Sequence, residues 1–290
     1  MTLKGNAKAF LAPKDTRLRG SLLLREVVEG ALRRVRERFL ELRFSPLSSR
    51  ELGVGAGGDV IRGLDLEAER AITEHLKGAL ESFNLISEES GFVDYGGGLN
   101  VVVDPIDGST NALRGYPACS SAIAVAEGDT LNSVVAAGVI NLVTGDVYYA
   151  ERGLGAYLNG VRITPRDVRR VEDAFIAFEL NIRGQIRSYV GRVAHLIEVA
   201  RHVRLIGSDA LEICFIASGC SDAFVDLRGF LRAPDFAASA FILREAGGVI
   251  TDASGAELNC KLHPKERSTI VAACTRELHS DIMSRLREKP

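Results

Sequence analysis

Val101-Val102-Val103-Asp104-Pro105-Ile106-Asp107-Gly108-Ser109-Thr110-Asn111 is the stretch on which the reading of this chain turns. Three consecutive valines read as a buried strand, because β-branched side chains suit a pleated surface covered on both faces. The strand ends in Asp104, and Pro105 and Gly108 build a rigid turn directly after it, so Asp104 and Asp107 are presented together at a strand end. Pro105 restricts that turn and leaves the Ile106 carbonyl free, while Gly108 lets a ligand approach the backbone of Gly108, Ser109 and Thr110. If a helical turn begins there, those N–H groups form an anion site beside the carboxylates. Taken alone, Asp-Pro-Ile-Asp-Gly is equally an ordinary turn, since Asp, Pro and Gly are all turn formers.

Working outward toward the N-terminus, apolar residues at Leu24, Val27, Val28, Ala31, Leu32, Val35 and Phe39 predict a helix from Ser21 to about Leu42, with Ser21 as its N-cap. Pro46, paired serines and several glycines predict an exposed loop over 45–58, followed by a second helix from Asp65 to about Leu80. Short β-rich runs at 84–87, 100–103, 120–126, 133–139 and 146–150 surround the carboxylate turn. Beyond about Arg162, strand and helix alternate: 174–178 extended, 190–202 helical, 203–206 extended, 208–218 helical and 223–226 extended. A helix over 235–246, strands over 248–252 and 269–272, and a helix from Thr275 complete the chain. This predicts an N-terminal extension (1–20), an α+β half with the carboxylate turn (21–161) and an α/β half (162–290).

Composition narrows the function classes. Of 290 residues, 46% are hydrophobic and 26% charged, as in an ordinary globular protein. Lys plus Arg number 36 against 38 Asp plus Glu, so the chain has no overall electrostatic footprint for nucleic acid or an anionic membrane, and a small-molecule partner is favoured. Five cysteines with no Cys-x-x-Cys pair suggest reduced thiols. The cluster Ala9-Phe10-Leu11-Ala12 is too brief for a signal-peptide core, and no run reaches the ~18 apolar residues of a membrane span. A cytoplasmic protein is the expectation. Gly53-Val54-Gly55-Ala56-Gly57-Gly58 lacks the preceding buried strand of a dinucleotide fingerprint, and the five histidines show no metal-ligand spacing.

Clustered carboxylates at a strand end suit Mg²⁺, a hard cation that takes a few Asp and Glu oxygens plus a carbonyl and keeps several waters. Two such ions would clamp a phosphate, lower the pKa of a water and stabilise a departing alkoxide.

Three motifs sharpen that expectation. Leu85-Ile86-Ser87-Glu88-Glu89-Ser90, the Asp104 to Asn111 turn, and Pro234-Asp235-Phe236-Ala237-Ala238 ahead of Glu245-Ala246-Gly247-Gly248 resemble, in order and separation, the motifs of the inositol monophosphatase superfamily. Asp226-Leu227-Arg228 and the stretch from Gly207 to Glu212 resemble archaeal-type members that accept both inositol monophosphate and fructose 1,6-bisphosphate. The resemblance runs from about Asp59 to Ala273. It implies an α+β fold, a layered α/β/α/β/α sandwich of the sugar-phosphatase kind, a homodimer, and two or three Mg²⁺ ions. By position, Glu88, Asp104 and the Ile106 carbonyl would hold one ion, and Asp104, Asp107 and Asp235 a second. Glu88 would contribute to a third near Asp65, and Asp65 with Ser109 would orient and deprotonate the attacking water. Gly108, Ser109 and Thr110 would hold the phosphate, and Ser208, Asp226 and Arg204 would contact sugar or inositol hydroxyls.

Each residue also has a plainer reading. Asp65 and Asp235 stand where N-caps stand, and Glu89 beside Glu88 reads as a solvated carboxylate or one that supports the ligands from behind, since neighbours in an extended segment point to opposite sides. The chain carries Ser109 where the superfamily more often has Thr, and Pro234 where an aromatic residue is usual. A nucleotide 3′-phosphatase of the same superfamily, or a non-catalytic binding homologue, is the alternative. The complete set of Asp65, Glu88, Asp104, Asp107, Ser109 and Asp235 favours the enzyme.

Overall fold

The computed structural model describes residues 16–182 and 186–287. The chain begins with α1 (Thr16–Leu42), a hairpin of β1 (Glu51–Val54) and β2 (Val60–Arg62), and α2 (Gly63–Ala79). There follow β3 (Phe83–Ser87), β4 (Gly91–Tyr95), β5 (Leu99–Asp107), the short α3 (Ser109–Arg114), β6 (Ser120–Ala126), β7 (Val134–Asn141), β8 (Val147–Glu151), β9 (Gly155–Leu158) and β10 (Val161–Ile163). The remainder is β11 (Phe175–Phe178), α4 (Ile186–Val199), β12 (His202–Arg204), α5 (Asp209–Ala217), β13 (Ala223–Arg232), α6 (Ala233–Ala246), β14 (Val249–Thr251), β15 (Arg267–Ala273) and α7 (Arg276–Arg287).

Two sheets result. The larger has the order β10-β9-β8-β7-β6-β5-β3-β4, and the smaller β12-β11-β13-β15-β14. In the large sheet β3 and β5 run parallel and the other neighbours antiparallel; in the small sheet β11 runs parallel to β12 and β13. Side chains along β5 show why layers form. Val101 and Val103 enter the core shared with α1 and α2, while Val102 enters the core shared with α5, α6 and the small sheet. Along β6, Ile123 and Val125 face the first core and Ala122, Ala124 and Ala126 the second. The alanines oppose the alanine-rich α6 (Ala233, Ala237, Ala238, Ala240), so helix and sheet approach closely. With α7 packed on β15 and α4 against α7, the order of layers is α/β/α/β/α.

The close approach of α1 to β7 depends on one missing side chain. A Cβ on Gly138 would lie 2.7 Å from Val28 Cγ1 and 2.8 Å from Leu32 Cδ1. Gly138→Ala is expected to cost about 1–3 kcal/mol by overpacking, read as a lower urea midpoint with an unchanged slope. An unchanged midpoint would mean that α1 shifts freely on the sheet.

Several sequence expectations need correction. The first helix begins at Thr16, so position 21 lies inside it and is no N-cap; Thr16 to Arg19 are compatible with helix, and the single Gly20 costs only about 1 kcal/mol. The boundary proposed at residue 20 falls within α1, and residues 1–15 lie outside the described residues. The loop expected over 45–58 contains β1, paired with β2 beyond it, with Gly55, Gly57 and Gly58 at the turn between them. Local composition suggested a loop; docking makes it a hairpin, because Ala56 and Gly57 donate their N–H groups to the carbonyls of Glu89 and Glu88 at 3.0 Å. β13 runs on to Arg232 past an irregularity between Asp226 and Leu231, and the helix expected over 190–202 ends at Val199 so that His202 can start β12. No helix among the described residues is long and apolar enough to cross a membrane.

Candidate active site

Three chain segments converge at one end of the large sheet. β5 delivers Asp104 and Asp107, the turn after β3 delivers Glu88 and Glu89, and the first turn of α6 delivers Asp235. Glu69 of α2 holds the β3 turn in place by accepting hydrogen bonds from the Ser87 hydroxyl and the Ser90 N–H. Carboxylate oxygens of Glu88, Asp104 and Asp235 all lie within 4.8 Å of one another. Asp104 is 2% exposed, and its Oδ1 is buried with no hydrogen-bond partner.

An orphaned buried carboxylate oxygen is costly, and so is crowding of like charges. Both leave their mark on proton affinity. Burial, then the Glu88, Asp107 and Asp235 carboxylates, hold the Asp104 carboxyl well above the usual carboxylate range. Burial and Asp235 push Glu88 up to about 8 against the opposing charge of Arg232. Asp107 is pushed up to about 6 by burial, opposed by hydrogen bonds from Ser208 and Ser120. The donor set is all oxygen, crowded and deficient in positive charge, which is the chemistry a hard divalent cation satisfies.

Asp107 is more firmly held than Asp104. Its Oδ2 accepts from Ser208 Oγ at 2.6 Å, Ser120 Oγ at 3.0 Å and the Ala210 N–H at 3.0 Å. Beyond it, Gly108 adopts φ 79° and starts α3; a Cβ there would lie 2.9 Å from the Gly207 carbonyl, so only glycine makes this turn. The first amides of α3 have no acceptor within the helix. Ser109 Oγ donates to the Ile106 carbonyl at 2.9 Å and lies near enough to Asp65 to hydrogen-bond and lower its pKa. Asp65 sits in the first turn of α2 rather than at its N-cap, and its Oδ2 accepts the Arg62 N–H at 3.0 Å. Burial outweighs both contacts and raises its carboxyl above the ordinary value.

The structure thus brings together Asp65, Glu88, Asp104, Ile106, Asp107, Gly108, Ser109, Thr110 and Asp235. The residues expected to meet substrate hydroxyls are placed differently. Arg204 lies on the edge strand β12 with its guanidinium 4.7 Å from the Phe175 ring centre. Ser208 has its hydroxyl proton committed to Asp107. Asp226 is fully buried and bonded through both oxygens to Arg228 at 2.7 to 3.1 Å. Glu89 is half-buried beside the cluster: the chain turns at residues 88–90 instead of staying extended, and burial together with Asp65 and Glu69 pushes its carboxyl up to about 8.

Arg232, outside the motifs, and Glu212 and Asn111, within them, complete the site. Arg232 bonds Glu88 and Asp235, and its only local signal is a position three before an aspartate in a helical first turn. Glu212 of α5 accepts the Ile206 N–H at 2.8 Å, and Asn111 Nδ2 donates to the Ile206 carbonyl at 2.8 Å, which ties α5 to α3. Burial, against the Ile206 hydrogen bond, pushes the Glu212 carboxyl up to about 8 from an ordinary 4.5. The folded metal-free chain then keeps a proton that the unfolded chain releases, so the associated stability is complete below about pH 4.5 and lost as pH rises to about 8. Relative to wild type, Glu212→Gln in chelator is expected to gain on the order of a few kcal/mol between pH 5 and pH 8 in urea melts. A parallel pH dependence of the two proteins would refute this assignment.

Comparison with known proteins places these features in a wider group. The model of the inositol monophosphatase family matches residues 24–290. A fructose-1,6-bisphosphatase/inositol-1-monophosphatase of Methanothermobacter thermautotrophicus is 38% identical over 264 residues, covering 85% of this chain and 92% of that protein. A bifunctional NADP phosphatase/NAD kinase of Methanococcus maripaludis is 32% identical over 84% of this chain, which matches 46% of that longer protein. Among solved structures, the extragenic suppressor protein suhB of Bartonella henselae superposes with a TM-score of 0.79 at 26% identity, covering 93% of this chain and all of that one.

Proposed function

Because the chain belongs to the inositol monophosphatase family and is a phosphoric monoester hydrolase, we propose that it is a Mg²⁺-dependent phosphatase of inositol monophosphate and fructose 1,6-bisphosphate. The observation that carries the metal assignment is the orphaned Asp104 Oδ1 inside the Glu88–Asp104–Asp235 cluster, a buried acceptor that no described group of the chain satisfies. Glu88, Asp104 and the Ile106 carbonyl would hold one ion, Asp104, Asp107 and Asp235 a second, and Glu88 would help to hold a third. Bound there, magnesium supplies positive charge that polarises the phosphoryl group and acidifies a neighbouring water.

The chain's own groups then have distinct tasks. Gly108, Ser109 and Thr110 receive the phosphate on backbone N–H groups and hydroxyls at the start of α3. Ser109 Oγ, released from the Ile106 carbonyl, takes the proton of the attacking water and passes its own to Asp65. Ser208 and Ser120 fix the Asp107 carboxylate. In this reading Ser208 acts through Asp107, while Asp226 and Arg228 brace the wall beside it. The substrate class rests on the names of archaeal relatives such as the one from Methanothermobacter thermautotrophicus. We extend the reading to a cytoplasmic homodimer: the five cysteines are free, and the edge strand β4 exposes Phe92 where a second copy can pack.

The test is phosphate release from inositol 1-phosphate, fructose 1,6-bisphosphate and NADP, with and without Mg²⁺. Metal-dependent release from the first two above the third supports the assignment. Preference for NADP would move the substrate class to nucleotides, as the relationship to the NADP phosphatase of Methanococcus maripaludis allows. No release from any of the three would sink the proposal.

A further inference from the structure

The acidic cluster carries a cation of its own. Arg232 is the last residue of β13 and the N-cap of α6. Its guanidinium reaches three carboxylates: Nη2 bonds Glu88, Nε lies 3.2 Å from both oxygens of Asp235, and Nη1 lies 2.9 Å from Asp59 Oδ2. The side chain is 10% exposed. Burial works against its charge, yet the Asp235 and Glu88 carboxylates outweigh burial and raise its pKa further, so it stays a cation at every working pH.

If the cluster is a metal centre, as proposed, Glu88 and Asp235 are the groups an ion would need, and Arg232 already holds them. Asp104 Oδ1, the oxygen Arg232 leaves bare, is the one without a partner. We infer that Arg232 is a resident counter-cation that stands in for a divalent ion in the metal-free enzyme and competes with it, a positioning residue that sets how much Mg²⁺ the site requires.

Two physical terms oppose each other at this guanidinium. Without any cation, the buried carboxylates would repel and resist joint ionisation, so Arg232 stabilises the empty site and keeps Glu88 and Asp235 aimed inward. Lone pairs engaged by a guanidinium are not available to a hard ion, and a fixed positive charge a few ångströms away disfavours the entry of a doubly charged one. Metal entry is therefore an exchange in which Arg232 gives up Glu88 and Asp235. The fold supplies somewhere for it to go. Asp59, 78% exposed on the β1–β2 turn, lies on the outer side of the guanidinium. Bare backbone at Gly57 is what admits the guanidinium to its present position, since a Cβ there would sit 2.1 Å from Nη1. Arg267 Nη2, bonded to the Gly57 carbonyl at 2.9 Å, holds the same turn in place.

The competing account makes Arg232 a strut that braces the hairpin and the start of α6, without which metal binding could only weaken. Calorimetric Mg²⁺ titration of chelator-stripped full-length protein, together with thermal melts in chelator and in Mg²⁺, separates the two for wild type, Arg232→Met and Arg232→Lys. As a competitor, Arg232→Met melts lower in chelator, binds Mg²⁺ roughly tenfold more tightly and gains more from added Mg²⁺ than wild type. Arg232→Lys falls between, because an ammonium cannot fork across three carboxylates. Equal or weaker Mg²⁺ binding by Arg232→Met overturns the inference. Should that variant not fold, the Lys variant decides in the same way: tighter binding than wild type supports competition, and equal or weaker binding overturns it. If wild type itself binds no Mg²⁺, the inference and the metal-centre reading fall together. If wild type binds Mg²⁺ and neither variant tightens, only the inference falls.

Discussion

Asp104→Asn is expected to abolish Mg²⁺-dependent phosphate release while leaving the metal-free protein at least as stable as wild type. Activity and metal-free stability respond with opposite signs for one reason. Asp104 is buried at the end of β5 beside Glu88, Asp107 and Asp235, and its Oδ1 has no partner. In the metal-free chain its charge is a liability, and the asparagine removes it without changing the shape of the side chain. With metal the same charge would be the central ligand, shared between two ions in the proposed arrangement. Residues that merely orient a metal ligand cost 10–100-fold when changed, so loss of a shared ligand should exceed about 100-fold. The check pairs an assay with a melt. Wild type should gain about 2.7 kcal/mol of stability when Mg²⁺ is present at a hundred times its dissociation constant, and the variant should gain almost nothing. Retention of Mg²⁺-dependent activity within tenfold, with a wild-type melting response, would show that the cluster is not the catalytic metal centre.

How much of this site could be read from residues alone depended on whether the information was local. Asp104 and Asp107 were legible because a valine run, a proline and a glycine specify a strand, a turn and the carboxylates between them within eleven residues. The alternating cores of β5 and β6 follow from the same period of two. Arg232 was not legible, because its partners Glu88 and Asp59 lie 144 and 173 residues away. The hairpin was hidden for a similar reason: glycines and serines signal a loop, and what orders this one is docking onto the Glu88–Glu89 backbone. Asp226 shows a different limit. Its neighbour Arg228 is only two residues away, yet nothing in the local pattern tells a substrate contact from a buried ion pair; the absence of any exposure of Asp226 decides it. Glu89 was legible only as one of two alternatives, because alternation along a strand stops at the strand's end and the chain turns there.

Asp65 offers the other large effect, because its two roles can be separated by one substitution. As a structural residue, it accepts the Arg62 N–H through Oδ2 at the start of α2. As the proposed base, it receives a proton through Ser109. Asparagine retains a carbonyl-type oxygen able to accept the Arg62 N–H, so the helix start survives Asp65→Asn. It cannot take up a proton, and its amide offers Ser109 a donor where the mechanism needs an acceptor. The expected result is a fall in kcat of about 10²–10⁴-fold, the usual worth of a positioned general base, with KM and Mg²⁺ affinity within about twofold of wild type. A variant that only lost a cap would behave in reverse, melting lower by about 1 kcal/mol with kcat intact. Rates and Mg²⁺ titrations on the same preparation distinguish these outcomes. A kcat within tenfold of wild type would reduce Asp65 to a helix-capping residue and leave Glu89, the carboxyl next to it with its proton affinity raised to about 8, as the group to examine for the base.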